Sequence, residues 1–315
     1  MTVGSYYTHR GKLAILLWPL QKFIQLGLLG ALRFIWWEII KRFHVSTFTV
    51  STKQGIFTIT TKDEIISRSL YCRREYELEF SAKAMELLRN LKICPPKGKG
   101  SIVDIGANNG AISIGMLHTK ELEKAIAIEP EPNNFNLLVK NIKQNDFLDK
   151  FVCLPYAISN QKGEVLLELS ERDFGDHRVR PKPSADTPSE LFKESKRNVI
   201  KVESDTLDQL LETVPDTFRA DISVVWVDVQ GYEGYVFLGA KQLLSTGIPV
   251  VSEIWPYGLK RAGVSAERFC QIAEDVWSNY WLLQEGKFIK YPVSALIQIF
   301  DEINYNENFN VVFTA

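Results

Sequence analysis

The chain has 315 residues, 45% of them hydrophobic and 24% charged, which is the composition of a globular protein with a substantial core. Its 37 basic and 38 acidic residues nearly cancel, so no whole-chain field favours a polyanion and nucleic acid is not an expected partner. Cys72, Cys94, Cys153 and Cys270 lack the close spacing of a zinc or redox motif and read as reduced structural thiols of a cytoplasmic protein.

The first predicted element is an apolar helix within residues 1–44. Residues 13–40 are interrupted by Lys22 and Arg33, and the longest charge-free run, 23–32, falls short of the roughly 20 apolar residues that a membrane span needs. Lys22, Gln25 and Arg33 share one face at helical spacing, and Leu, Ile, Phe and Trp fill the rest. Such a helix suits peripheral contact with a membrane surface, with Trp36 and Trp37 as anchors, or else the contact of a homodimer. No small-residue cleavage site follows it, which argues against a signal peptide.

Residues 45–97 form a predicted substrate-side extension. The runs "TFTVST" and "IFTITT", separated by Lys53, Gln54 and Gly55, predict a β-hairpin. Residues 62–92 then predict helix, with Ala84, Leu87, Leu88 and Leu91 on one face. "CPPKGKG" stops that helix and marks the boundary of a catalytic domain over 98–315.

From residue 101 onward, short apolar runs alternate with amphipathic stretches. "SIVDIG", "KAIAIEP", "FVCLPYAIS", "SVVWVDVQG" and "IPVVSEIW" read as strands, and 111–121, 132–145, 233–245 and 265–279 as helices between them. That alternation predicts α/β architecture built on a mostly parallel sheet with helices on both faces. Two late strands, near 281–291 and 309–314, are placed at one edge of it. A polar, Pro-rich insertion at about 170–198 breaks the pattern; an excursion of that length is functional or disordered. Strands on either side of it predict that both of its ends are pinned to the sheet.

The stretch "IVDIGANNGAISI", residues 102–114, asks why a buried strand should end in a carboxylate and two glycines. In an open parallel sheet, ligands sit at the carboxyl ends of the strands where the order reverses, and glycine there lets backbone come close to ligand. Asp104 ends the strand, and Gly106 and Gly110 bracket the turn. A nicotinamide site would need G-x-G-x-x-G, but Asn108 stands at the middle glycine, which argues against an oxidoreductase. Glu129 ends the second strand, where an acidic residue can accept from both hydroxyls of a ribose. The pattern therefore predicts a nucleoside ligand without a pyrophosphate.

"VDIGANNGAISI", "IEPEPNNFNLLVKNI", "YAISNQKGEVLL", "ESDTLDQLL" and "VDVQGYEGYVFLGAKQLL", in this order and spacing, resemble the FkbM-type methyltransferases over roughly residues 70–260. The resemblance implies a class I methyltransferase (Rossmann-like) fold, with seven strands of which the last is antiparallel, behind the helical and hairpin extension. It implies S-adenosylmethionine as cofactor and O-methyl transfer to the hydroxyl of a small-molecule, sugar or lipid-linked acceptor. Position by position, it implies that Asp104, Gly106, Asn108 and Gly110 surround the methionine end of the cofactor, that Glu129 holds the ribose, and that Tyr156 and Ala157 lie beside the adenine. The family's fourth-strand block usually reads Asp-x-Glu-Gly after a Lys, whereas here Trp226 and Gln230 occupy those places. That departure keeps a catalytically inactive adaptor of the same fold as the alternative.

Methyl transfer to an alcohol calls for alignment of oxygen, methyl and sulfur, and for a general base within reach of the hydroxyl. Asp228 at the end of the fourth strand, Glu253 at the end of the fifth and His177 in the insertion are the candidates. A divalent cation held by Asp228, Glu253 and Asp176 is a second mechanism that nothing in the spacing requires, and no metal ligand is assigned. Glu233 and Asn133 read as helix-end residues, and Tyr6, Tyr7, Trp255 and Tyr257 as aromatics able to stack on a sugar.

Overall fold

A computed structural model describes residues 12–43, 46–181, 190–305 and 307–315, with side chains from Gly27 onward. Helix α1 (Lys12–Arg42) is broken at Gly27, whose φ of 68° is non-helical. Strands β1 (Thr47–Thr52) and β2 (Gly55–Thr60) form the expected hairpin, followed by α2 (Ile66–Cys72) and α3 (Leu78–Asn90). The predicted 62–92 helix is thus two helices, separated by a turn in which Arg74 and Glu77 take positive φ.

The α/β unit continues with β3 (Ser101–Ile105), α4 (Ala111–His118), β4 (Lys124–Ile128), α5 (Pro132–Gln144) and β5 (Phe151–Leu154). Strands β6 (Ala157–Ile158), β7 (Gly163–Leu169), β8 (Arg178–Val179) and β9 (Asn198–Asp205) come next, followed by α6 (Leu207–Glu212) and α7 (Asp216–Arg219). Then follow β10 (Ile222–Val227), α8 (Glu233–Leu238), α9 (Lys241–Leu244), β11 (Val250–Ile254), α10 (Pro256–Arg261) and α11 (Ala266–Glu274). The chain closes with β12 (Asn279–Gln284), β13 (Lys287–Pro292), α12 (Leu296–Glu302) and β14 (Phe309–Thr314).

The main sheet has the order β13-β12-β14-β11-β10-β3-β4-β5. Strands β11, β10, β3, β4 and β5 are parallel, and the last strand is antiparallel as expected. The sheet has eight strands instead of seven: β14 lies between β11 and β12, and β13, paired with β12 at the edge, is the added strand. The long excursion is a second correction. Its strands are pinned to one another, in a separate sheet of order β6-β9-β7-β8, and not to the main sheet. Pro155 and Tyr156 interrupt the predicted third strand, so its second half pairs with β9 instead.

Alternation along the central strands assigns residues to two cores. Val103, Ile105, Ile126, Ile128, Val225 and Val227 face the helices that follow β9, whereas Ile102, Ala125, Ala127, Val224 and Trp226 face α4, α5 and the N-terminal extension. The strands are buried on both sides, which is why they read as unbroken apolar runs. The extension is part of that second core: Trp37, Phe57, Ile59, Leu70 and Met85 are fully buried in it. Trp37 packs against Phe48 and Tyr71, so of the two proposed anchors only Trp36, 57% exposed, faces outward. The hairpin docks on α5, where Thr58 and Ile56 donate backbone N–H groups to Asn141 and Asn145 at 2.7 and 2.8 Å. Among the described residues no helix is long and apolar enough to cross a membrane. Lys22 and Gln25 lie outside the residues with described side chains, and Tyr6 and Tyr7 outside the described residues altogether.

Candidate active site

The chain leaves β3 towards β4 and β5 on one side, and β10 leads to β11 on the other, so the order reverses between β3 and β10. Their carboxyl ends lie side by side, with Trp226 opposite Asp104 and the Asp228 N–H donating to the Ile105 carbonyl at 3.0 Å. A ligand crevice belongs at that reversal.

Gly106 has a φ of +84°, and a Cβ there would lie 1.9 Å from the Asp228 carbonyl oxygen. Glycine is therefore required first by the approach of two strand ends, a reason different from the ligand contact expected of it. Gly110 is displaced from the site: at φ +86° it precedes α4, and a Cβ would strike Ile114 and Leu138. Between them Asn108 also takes positive φ, and its N–H donates to Glu129 at 2.8 Å while its side chain holds the Phe174 carbonyl at 2.7 Å. Glu129 accepts a second bond from the Glu131 N–H at 2.8 Å, which fixes the orientation of its carboxylate. Glu131, not Asn133, caps α5, accepting from Asn134 N–H; Asn133 braces that cap through a 2.9 Å bond to Glu131.

A cavity of about 70 Å³ opens at this point. Asp104, Gly106, Asn108, Glu129, Tyr156, Ala157, His177 and Asp228 all line it, whereas Gly110 and Glu253 do not. Among the described residues, the lining holds three carboxylates and no Lys or Arg. Such a wall repels phosphate and suits a cationic nucleoside. The apolar lining from Pro130, Tyr156, Ile158 and Val229 can accept an aromatic base.

Burial controls the charge state of these groups. Asp104, 2% exposed, has its carboxyl pushed up to about 6, chiefly by desolvation, and its Oδ2 has no hydrogen-bond partner among the described residues. Burial likewise raises Asp228 to about 6 and Glu129 to about 8. A buried carboxylate in this condition gains from a cation placed beside it.

His177 is half-buried against Phe174, and its Nδ1 accepts from the Ser170 N–H at 3.0 Å. Burial drives its pKa down to about 4, so it is neutral. With Nδ1 occupied as acceptor, Nε2 carries the proton and is a donor. That tautomer is the wrong one for a general base. The insertion closes over the glycine turn, held by Asn108 and Asn134, both of which donate to the Phe174 carbonyl. Arg178 and Arg197 occupy the carboxylate of Asp176, which removes it from the conceivable metal set, and no metal-holding group occurs among the described residues.

Gln230 explains the departure at the fourth strand. Its Nε2 donates to Asp228 at 2.6 Å and to Glu253 at 2.8 Å, so a neutral amide joins two acids where a third carboxylate would repel both. Glu253 is thereby held behind Asp228, with its pKa raised well above normal by burial and then by Asp228. Glu233 is buried and raised to about 8, chiefly by desolvation, so it is not a charged helix-end residue. Trp255 and Tyr257 are buried against Phe192, with Arg178 over the Trp255 ring, and offer no sugar platform.

Four participants carried no signal in the sequence. Ile66 and Tyr76 line the cavity from a segment read only as helical, and Phe174 reaches it from the insertion. Glu77, in the left-handed region at φ 50°, lies close enough to Asp228 for that charge to add to the burial that lifts it to about 8. Only the departure of Glu77 from helical geometry marks it, and that is invisible before folding.

The methyltransferase FkbM domain matches residues 104–268. No curated protein matches the chain. Among solved structures, the methyltransferase FkbM from Methylobacillus flagellatus KT is 12% identical over 80% of this chain and 55% of its own, with a TM-score of 0.41. A precorrin-6y C5,15-methyltransferase from Geobacter metallireducens GS-15 is 11% identical over 75% and 88%, with a TM-score of 0.37. P. horikoshii TYW2 in complex with MeSAdo is 14% identical over 85% and 70%, with a TM-score of 0.39. The chain spans about half the length of that FkbM structure. S-adenosylmethionine is the methyl donor that a methyltransferase of this fold implies. The domain match takes in just over half of the chain, with the glycine turn, Glu129 and Asp228 inside it, and the protein belongs to the FkbM methyltransferase family.

Proposed function

We propose that the protein transfers a methyl group from S-adenosylmethionine to a hydroxyl of a small-molecule, glycan or lipid-linked acceptor. The observation that carries this reading is the cavity at the strand reversal, walled by Asp104, Glu129 and Asp228 with no Lys or Arg among the described lining residues. The unpartnered Oδ2 of Asp104 is suited to the ammonium of the methionine end. Glu129, oriented by two backbone N–H groups, keeps lone pairs for the ribose hydroxyls. Tyr156, Ala157 and Pro130 would flank the adenine.

When bound, the cofactor supplies an electrophilic methyl on a cationic sulfur. Asp228 would accept the acceptor's hydroxyl proton as the oxygen–carbon bond forms and the carbon–sulfur bond breaks. Its pKa of about 6 keeps it mostly ionised at neutral pH yet a better base than an exposed aspartate. Gln230 would fix the orientation of Asp228 through Oδ1, leaving Oδ2 for the acceptor. His177, as a neutral donor, would position an acceptor oxygen instead of taking its proton.

Calorimetry of the full chain with S-adenosylmethionine and S-adenosylhomocysteine tests the cofactor assignment, and methyl transfer to a panel of alcohols tests the reaction. Binding with transfer to an oxygen supports the proposal. Absence of binding would overturn it, and methylation of nitrogen or carbon alone would overturn the acceptor class.

A further inference from the structure

We propose that the outer face of α1, with the arginine groove beside it, docks the protein on an anionic lipid bilayer. Leu28, Leu29, Leu32, Ile35, Trp36 and Phe43 are 47–76% exposed. At 100° per residue they occupy an arc of about 120°. The opposite side of the same helix, with Gly30, Phe34 and Trp37, is buried against α2 and β1. The helix therefore turns its smaller apolar side inward and a continuous aliphatic and aromatic stripe outward. A stripe of that size on a water-facing helix marks an interaction surface.

The flank of the stripe identifies the partner. Arg33 and Ile40 border an open groove that is also lined by Lys53, Tyr71, Arg73 and Arg74 and has no carboxylate among its described lining residues. Lys53 is paired with Glu75, but Arg33, Arg73 and Arg74 have no ion-pair partner among the described residues. Arg33 and Arg74 point their guanidinium groups at backbone carbonyls, of Cys72 and Ser51. Burial, and then the charge of Arg33, holds the Arg74 guanidinium below its ordinary value, so the cations are close enough to repel. Uncompensated arginines beside an apolar stripe match phosphate headgroups beside acyl chains. A two-fold pairing of this face would instead bring two copies of the arginine cluster to one seam. Docking does not depend on the reaction proposed above. It would bring the bilayer close to the catalytic cavity, since α2 begins at the cavity with Ile66 and reaches the groove with Tyr71, a rise of about 8 Å.

Co-sedimentation of the full chain with large vesicles tests this, using phosphatidylcholine alone and phosphatidylcholine with about one-third phosphatidylglycerol. The expected result is salt-sensitive binding to the anionic vesicles. It should weaken roughly tenfold for Arg73→Glu, and by at least as much for Leu32→Ser combined with Trp36→Ser. Both variants change exposed side chains, and unchanged thermal midpoints would show that the fold is kept. No binding to anionic vesicles at low salt overturns the proposal, as does binding that neither variant weakens. A dimer that dissociates on the Leu32→Ser, Trp36→Ser change without any vesicle affinity overturns it in favour of a second copy. Calorimetric binding of inorganic phosphate without vesicle binding overturns it in favour of a free anion.

Discussion

The side-chain amide of Gln230 donates to Asp228 at 2.6 Å, and the same nitrogen reaches Glu253 at 2.8 Å. At this position a carboxylate would leave three acids facing one another without a donor. Gln230→Glu should raise the pKa of Asp228 further, since a like charge disfavours ionisation. The acidic limb of the pH–rate profile should move up by about one unit, so that turnover falls roughly twofold at pH 7 and roughly tenfold well below pH 6. Steady-state kinetics across pH 5–9 checks this, and an unmoved limb would remove Asp228 from the base role.

Asp228→Asn keeps the shape of the site and removes the proton acceptor. Turnover should fall by about 10²–10⁴ while cofactor affinity changes little. A loss confined to cofactor affinity would instead make Asp228 a binding group. Rate and dissociation constant measured on the same preparation separate the two.

Glu129→Ala should weaken S-adenosylmethionine binding at least tenfold, since a hydrogen bond to a charged group contributes about 1.5–3 kcal/mol. Calorimetry of the variant against the unaltered chain reads the difference directly. Retained affinity would mean that the ribose lies elsewhere.

Cofactor binding should release protons. Burial raises Asp104 to about 6 and Glu129 to about 8, against 3.8 and 4.5 for the free side chains. Between those limits the folded protein holds more protons than the unfolded chain, so the stability these groups contribute is complete at low pH and is lost as pH rises through 6–8. A cation in the cavity favours the ionised forms and offsets that loss. The rise in thermal midpoint caused by S-adenosylmethionine should therefore grow from pH 5.5 to pH 8.5. A rise that is flat with pH would show that no carboxylate in the cavity changes protonation on binding.

Trp36 and Trp37 are neighbours in sequence and opposites in structure, 57% and 0% exposed. Trp37→Ala should destabilise the fold by about 3–5 kcal/mol, whereas Trp36→Ala should fall within about 0.5 kcal/mol of neutral. Urea titrations followed by circular dichroism compare them. Equal effects would mean that the outer face of α1 is covered in solution.

Much of the catalytic unit could be read before folding because its signals are local. A strand buried on both sides must be apolar throughout, and its end is marked by the first carboxylate and the first glycine, as in "VDIGANNG". Hence helices α4 and α5, the five parallel strands and the strand-end carboxylates Asp104, Glu129 and Asp228 follow from pattern, whereas Asn108 was implied by the family resemblance. The eighth strand and the second sheet do not, because strand partners are chosen by long-range pairing: "FVCLPYAIS" gives no sign that its halves join different sheets.

The residue types at the strand ends, and so the kind of ligand they suit, were determined by the sequence itself, since each side chain's chemistry travels with it. Which of those residues share a cavity, and in what charge state, was decided only in three dimensions. His177 has a suitable free pKa, but burial and the Ser170 N–H make it a neutral donor; Gln230 has no acid–base chemistry, yet it joins two buried acids. Protonation depends on desolvation and on neighbours within a few ångströms, and packing supplies both from distant parts of the chain.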